Sequence, residues 1–467
     1  MTPTRARTLT LAATALGSAL AFIDTTVVVV ALPSIDRDLE LGLSGQQWVY
    51  LGYALSLSAL YLVSGALGDR VGLRRVFVAG TVLFAAASAL CGLAPSEGVL
   101  VAARALQGVG GALLTTNSLA LLRVTFGRDA GRAIGLWTSL TSLATVVGPP
   151  AGGAVVEWAS WRWIFGINLP LAAVVVVLAL AGRCEEREQP ARGSLDLPGA
   201  LLAALGLSML TYAVVQGSEH GWRSVWWAAA VGAVSLPALV AWTARARTPL
   251  VPPALFREPN LTVANLVTLL VYAALGAFLV FMPLYLQFLR FSAFESGLAL
   301  APVSVVLALL APRFGRLGDR IGPRRVLAGG AGLIATGLAL MLGVGSRSSA
   351  WSVGVAGLAV FALGLAVFVA PITATAIGSA PPGLAGVASG LNQTVARVGG
   401  LLAVAFVGLV VTLVYRASAS GGAPLDPSAD GANLRDASVA AFRAGLGLAA
   451  ALALAGSLLA ALRIRDR

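Results

Sequence analysis

Apolar runs long enough to cross a lipid bilayer follow one another along nearly the whole of this sequence. A membrane-crossing helix needs about 20 mostly apolar residues. Counting such runs between charged or turn-rich breaks gives fourteen, at 9–32, 47–68, 76–93, 98–122, 131–156, 162–182, 197–216, 224–244, 261–287, 296–313, 325–344, 351–377, 386–415 and 436–462. No stretch between them leaves room for a soluble domain of any size, so the expected class is an all-α integral membrane protein. Composition agrees: 58% of residues are hydrophobic and 11% charged, too few polar groups to cover a soluble surface. The first run reads as a span and not as a cleaved signal peptide. Many spans follow it, and Ala31-Leu32-Pro33-Ser34-Ile35 is a poor small-residue cleavage site.

The formal charge of +12 would suit nucleic acid if it formed a patch, but its placement argues against that partner. All 32 basic residues are arginines, and they gather in alternate loops. Arg5 and Arg7 precede the first span; Arg70, Arg74 and Arg75 follow the second; Arg123, Arg128 and Arg132 follow the fourth. Arg245, Arg247 and Arg257 follow the eighth, Arg313, Arg316, Arg320, Arg324 and Arg325 surround the turn after the tenth, and Arg463, Arg465 and Arg467 follow the last. With fourteen spans all of these fall on one side, which the positive-inside rule makes cytoplasmic together with both termini. Without lysine, neither a phosphate-cradling Gly-Lys-Ser/Thr loop nor a Schiff-base cofactor is available. Cys91 and Cys184 lack metal-ligand spacing and read as ordinary small residues, and His220 sits in a short polar loop. No nucleophile–base pair or metal cluster supports an enzyme, so no cofactor is expected.

An internal repeat organises the chain. Gly65-Ala-Leu-Gly-Asp-Arg-Val-Gly-Leu-Arg-Arg75 returns as Gly315-Arg-Leu-Gly-Asp-Arg-Ile-Gly-Pro-Arg-Arg325, identical at eight of eleven positions and offset by 250 residues. The first copy lies between spans 2 and 3, the second between spans 10 and 11. Spans 1–6 therefore map onto spans 9–14, with 7 and 8 inserted. The expected domains are an N-terminal six-helix bundle at 1–183, a cytoplasmic linker with the inserted pair at 184–250, and a C-terminal six-helix bundle at 251–467. Parallel halves with the substrate site between them are a transporter plan. Channels are also built from repeats, so a passive pore remains an alternative of another class.

The repeated loop resembles the Gly-x-Leu-x-Asp-Arg-x-Gly-Arg-Arg signature of the major facilitator superfamily, and the likeness extends along essentially the whole chain. Membership would imply that Gly65, Asp69, Arg70, Gly72, Arg74 and Arg75, with Gly315, Asp319, Arg320, Gly322, Arg324 and Arg325, form a latch at the cytoplasmic gate. Arg104 and Gln107 in span 4 are three residues apart, hence on one helix face. They resemble the second family signature, whose arginine is implicated in proton handling. A structural hub bonding backbone carbonyls is the other reading of Arg104. Gly148-Pro149-Pro150-Ala-Gly152-Gly153 looks like the antiporter signature, and Gly148 and Gly152 also suit close helix packing. Ile23-Asp24-Thr25-Thr26 in span 1, Trp161 to Pro170 at span 6, and Leu284-Tyr285-Leu286-Gln287 are similar to the fourteen-helix drug:proton antiporter branch, the multidrug exporters. Val29, where an asparagine is common, and Ala396-Arg397 before Gly399-Gly400 depart from that pattern.

Asp24 lies about 22 Å into the first span, well within the apolar layer. Burial there favours the neutral carboxyl and an approaching Arg104 favours the carboxylate, a balance that suits proton exchange. A permanent structural pair with Arg104 is the competing reading. Glu157, near the outer end of span 5, is a second candidate, with a solvated or Arg162-paired role as its alternative. If spans 1, 4, 9 and 12 line the centre, as the family implies, Asn117, Asn265, Tyr272, Phe278 and Phe368 neighbour the substrate. The expectation is a major facilitator fold of two six-helix bundles plus an inserted pair in the cytoplasmic membrane. It would exchange protons for small hydrophobic compounds, cationic or neutral, by alternating access. The alternative is an exporter dedicated to one endogenous metabolite or self-made antibiotic. The oligomeric state is open, and a monomer suffices.

Overall fold

A computed structural model describes residues 3–126, 130–182, 196–246, 249, 255, 257–379, 385–419, 422–425 and 432–466, and among them there is no strand. The helices are α1 (Pro3–Leu39), α2 (Gly42–Val71), α3 (Leu73–Gly92), α4 (Glu97–Phe126), α5 (Ala130–Trp158), α6 (Trp163–Gly166), α7 (Asn168–Ala181), α8 (Leu197–His220) and α9 (Trp222–Arg245). They continue as α10 (Pro259–Phe288), α11 (Ala293–Ile321), α12 (Pro323–Met341), α13 (Arg347–Ser349), α14 (Val355–Gly378), α15 (Ala385–Ser418) and α16 (Ala432–Arg463). Eleven helical segments among the described residues are long and apolar enough to cross a membrane. The fourteen runs of the sequence also include α2, α5 and α11, of 30, 29 and 29 residues, which lie outside those eleven.

Two expected spans are interrupted. The sixth is a short α6 followed by α7, with Pro170 in the first turn of α7, where its missing N–H removes no intrahelical bond. That break places Asn168 at the head of α7. The twelfth begins with a turn capped by Ser346 and a wide helical turn at Ala350–Gly354 before α14.

The chain forms two compact units, one of residues 1–41, 48–208 and 234–250, the other of 42–47, 209–233 and 251–467. In the first, α3 packs along α4 and α1 along α5. In the second, α12 packs along α14 and α10 along α15, so the repeat extends from the loop to whole helix pairs. The same device serves both: a Cβ on Gly110 of α4 would lie 2.6 Å from the Phe84 backbone nitrogen of α3, and one on Gly364 of α14 would lie 2.6 Å from that of Ile334 in α12. Without lipid-excluding force between apolar helices, such backbone proximity is what holds membrane helices together. The repeated loop also has a conformational reason to be conserved between its copies. Gly72 and Gly322 hold φ of 108° and 88° where α2 turns into α3 and α11 into α12, a region that L side chains rarely adopt.

Exposed indoles mark the other helix ends. Trp158 closes α5, Trp163 opens α6, Trp222 and Trp226 open α9, and Trp351 precedes α14, all exposed. Amphipathic rings of this kind settle at the headgroup level of a membrane.

Candidate functional site

The polar core of the first unit is built around Arg104. Its side chain is 0% exposed, although a charge at membrane depth costs about 2.5–3.5 kcal/mol on insertion scales. Four helices converge to offset that cost. Arg104 Nη1 donates to Asp24 Oδ2 of α1 at 2.5 Å and to Gln107 Oε1 at 2.6 Å, and Nε donates to the Val49 carbonyl of α2 at 3.1 Å. The guanidinium carbon stands 4.4 Å from the centre of the Tyr53 ring and 5.8 Å from that of Phe165, a cation–π arrangement strengthened by the absence of water.

Both oxygens of Asp24 are hydrogen-bonded. Its Oδ1 accepts from Gln107 Nε2 at 2.8 Å and from Asn168 Nδ2 at 3.2 Å. Ser88 of α3 joins the two amides, accepting from Gln107 Nε2 at 3.2 Å and from Asn168 Nδ2 at 2.9 Å. Its own hydroxyl donates to the Phe165 carbonyl at 3.0 Å. The free thiol of Cys91 lies 3.6 Å from Gln107 Oε1. The result is one carboxylate and one guanidinium, both buried, with neutral amides of α4 and α7 donating to the carboxylate and Ser88 of α3 tying those amides together. An isolated buried charge is costly and a hydrogen-bonded pair far less so, so Asp24 and Arg104 each offset the burial of the other. Sequence spacing put Arg104 and Gln107 on one face. Asn168, Ser88 and Tyr53 were not singled out for this site, and the signal available was a polar group inside an otherwise apolar run.

The other candidate residues are distributed as follows. Gly148 and Gly152 face α1, where added Cβ atoms would lie 2.2 Å from Thr26 Oγ1 and 2.6 Å from Val27 Cγ1, with Pro149 and Gly153 buried beside them. Glu157 is exposed in the last turn of α5. Arg162 donates to Asp38 at the end of α1, as does Trp161 Nε1 at 3.0 Å. Arg70, Arg75, Arg324 and Arg325 are exposed and Arg74 half-buried. The Arg324 amide donates to Asp466 at 3.0 Å, so a carboxylate occupies the N-terminal end of α12. The side chains of Asp69, Asp319 and Arg320, and the surroundings of Gly65's counterpart Gly315, lie outside the described residues.

Asn117 is buried and donates to Ser64 and to the Leu113 carbonyl, joining α4 to α2. Asn265 accepts from Asn392 of α15 at 3.1 Å, and Asn392 also donates to Thr268 at 2.8 Å. Tyr272 is half-buried. Phe278 packs on Phe361 with ring centres 4.3 Å apart, and Phe368 lies against Gly330 of α12.

The family model of the Major Facilitator Superfamily matches residues 14–404. The chain is 36% identical to the multidrug resistance protein Stp of Mycobacterium tuberculosis (strain CDC 1551 / Oshkosh) over 416 residues, 87% of this chain and 76% of that protein. It is 34% identical to the tetracenomycin C resistance and export protein of Streptomyces glaucescens over 411 residues, 86% of this chain and 75% of that one. Among solved structures, a bacterial homolog of the human lysosomal transporter Spinster superposes with a TM-score of 0.68 at 18% identity, covering 98% of this chain and 97% of the other.

Proposed function

The chain belongs to the Major Facilitator Superfamily, a superfamily of multi-pass membrane transporters, and on that premise we propose that it exports hydrophobic compounds, cationic or neutral, across the cytoplasmic membrane in exchange for protons. The observation that carries this reading is the buried pair of Asp24 and Arg104. A carboxyl that alternates between neutral and charged inside the membrane can bind a proton from one side and release it on the other. When Asp24 is neutral its hold on Arg104 weakens; when it is charged a lipophilic cation can compensate it. Either change biases one of two packings of the bundle, which is what coupling requires. For a neutral substrate in one-to-one exchange, about 2.3 kcal/mol per charge per 100 mV plus about 1.4 kcal/mol per pH unit sustains a gradient of roughly several hundredfold; exchange of a monovalent cation moves no net charge and draws on the pH difference alone, about tenfold per unit.

In this reading there are fourteen spans, both termini are cytoplasmic, and the bundles 1–183 and 251–467 flank the linker and inserted pair at 184–250. Reporters fused after Arg467 or within 184–195 are expected to be cytoplasmic, and those within 417–435 external. An external C-terminus would break the count. The arginine loops around Gly72 and Gly322 act as the cytoplasmic latch, and the Gly148–Gly153 segment gives the antiporter its α1–α5 packing. Asn117, Asn265, Tyr272, Phe278 and Phe368 shape the substrate path.

The buried acid at Asp24 supports a substrate class of hydrophobic compounds, cationic or neutral, over sugars, which need many hydrogen-bonding side chains. The similarity to a multidrug resistance protein supports a broad range. The similarity to the tetracenomycin C exporter supports the second reading, an exporter dedicated to one antibiotic or metabolite. Vesicles loaded with a lipophilic cationic dye, under an imposed pH gradient, separate the two. Gradient-driven loss of the dye is expected. Retention of the dye while an organic anion moves would favour the dedicated exporter.

A further inference from the structure

Asp24 is 2% exposed, so a proton it releases needs a path through the protein to reach water. Helix α1 carries a line of buried polar groups away from it. Thr10, Thr14, Ser18, Ala21 and Asp24 recur at steps of four, four, three and three residues, which places them on one face. The hydroxyl positions are all buried, in the midst of a cluster containing Leu20, Leu57, Phe77, Leu114, Leu121 and Val175. Alanine or valine would pack there without a polar group to satisfy.

The neighbouring helices continue the line. The Tyr53 hydroxyl donates to the Ala21 carbonyl at 3.3 Å, while its ring carries the Arg104 guanidinium. The same hydroxyl would lie 3.1 Å from a Cβ on Gly111 of α4. From Gly111 the α4 face runs through Thr115, whose hydroxyl donates to the Gly111 carbonyl at 2.7 Å, to Ser118. Ser118 and Ser18 hydroxyls are 2.8 Å apart across the two helices. Farther along α1, Thr14 donates to the Thr10 carbonyl at 2.9 Å and Thr10 to the Gly182 carbonyl at 3.2 Å. Thr10 and Thr14 then line a small crevice together with Arg74 of the repeated loop and Thr125.

We propose that this seam, from Tyr53 through Ser118 and Ser18 to Thr14 and Thr10, conducts the proton released by Asp24 to the crevice beside Arg74. The inference rests on the proton-exchange reading above. Asp24 and Thr10 are fourteen residues apart, about 21 Å along the helix, and each four-residue step spans about 6 Å, a gap that one water between neighbouring hydroxyls would close. The Tyr53, Ser118, Thr14 and Thr10 hydroxyls donate to carbonyls at rest and Ser18 shares its hydrogen bond with Ser118, and each keeps a lone pair to accept. A proton leaves the Asp24 carboxyl, each hydroxyl accepts one on its lone pair and passes its own onward, and one proton emerges at Thr10. Asp24 is left as the carboxylate and the hydroxyls are restored by reorientation.

The test uses the full chain in proteoliposomes enclosing a pH-sensitive dye, with ethidium as the transported probe. Two rates are read: proton movement driven by an ethidium gradient, and ethidium exchange with equal pH on both sides. Thr14→Val, which keeps the shape but lacks the hydroxyl, is expected to slow proton movement by about tenfold or more while exchange is unchanged. Thr14→Ser is expected to restore it, and Ser18→Ala combined with Ser118→Ala to match the valine variant. If Thr14→Val and Thr14→Ser behave alike, or if the double alanine variant moves protons at the wild-type rate, the route is overturned. Ethidium transport by the wild type with no proton movement would instead overturn the exchange reading, and the route with it; that failure is distinguished by appearing in the unaltered protein.

Discussion

Replacing Arg104 with alanine is expected to abolish export and to destabilise the folded protein by about 3–5 kcal/mol, the scale of a buried pair broken on one side. The reason is geometric. Removing the guanidinium leaves Asp24 with only the two amides of Gln107 and Asn168, removes the side-chain donor to the Val49 carbonyl, and uncovers the Tyr53 ring. Lysine is not expected to rescue it, because a single ammonium cannot reach Asp24, Gln107 and Val49 together while stacking on Tyr53. Thermal melting in detergent and dye efflux read the two effects separately. Combining Arg104→Ala with Asp24→Asn removes both charges and should recover much of the stability without recovering export. An Arg104→Ala protein that melts and exports like the wild type would refute the placement of a stabilising, functional pair here.

How much of this was legible in the sequence depends on whether a residue type or a spacing forced the geometry. The repeated glycines were legible because a turn of positive φ at Gly72 and Gly322 leaves few alternatives. Arg104 with Gln107 was legible because an i, i+3 pair must share a face, and Asp24 because a carboxyl so deep in an apolar run needs a partner. The second amide was not. Asn168 lies 144 residues from Asp24, and only the break between α6 and α7 aims it at the site. Aromatic residues were least legible: α10 and α14 are apolar on nearly every side, so no periodicity says which face a phenylalanine occupies. Phe278 and Phe368 pack against Phe361 and Gly330 in their own unit. Arg162 offers a similar lesson: it pairs with Asp38 from the end of α1, a partner that only tertiary folding supplies.

The central claim is that Asp24 is the group whose proton is exchanged for substrate. Asn at this position keeps nearly the same shape and can still accept from Gln107 and Asn168, but it cannot titrate and brings no charge to Arg104. The decisive measurement is dye efflux from vesicles carrying Asp24→Asn under an imposed pH gradient, with the protein verified as folded by its melting profile. The account predicts that gradient-driven efflux falls to the level of protein-free vesicles. Efflux from Asp24→Asn that responds to the gradient as the wild type does would contradict it, and Glu157 would be the next carboxyl to replace.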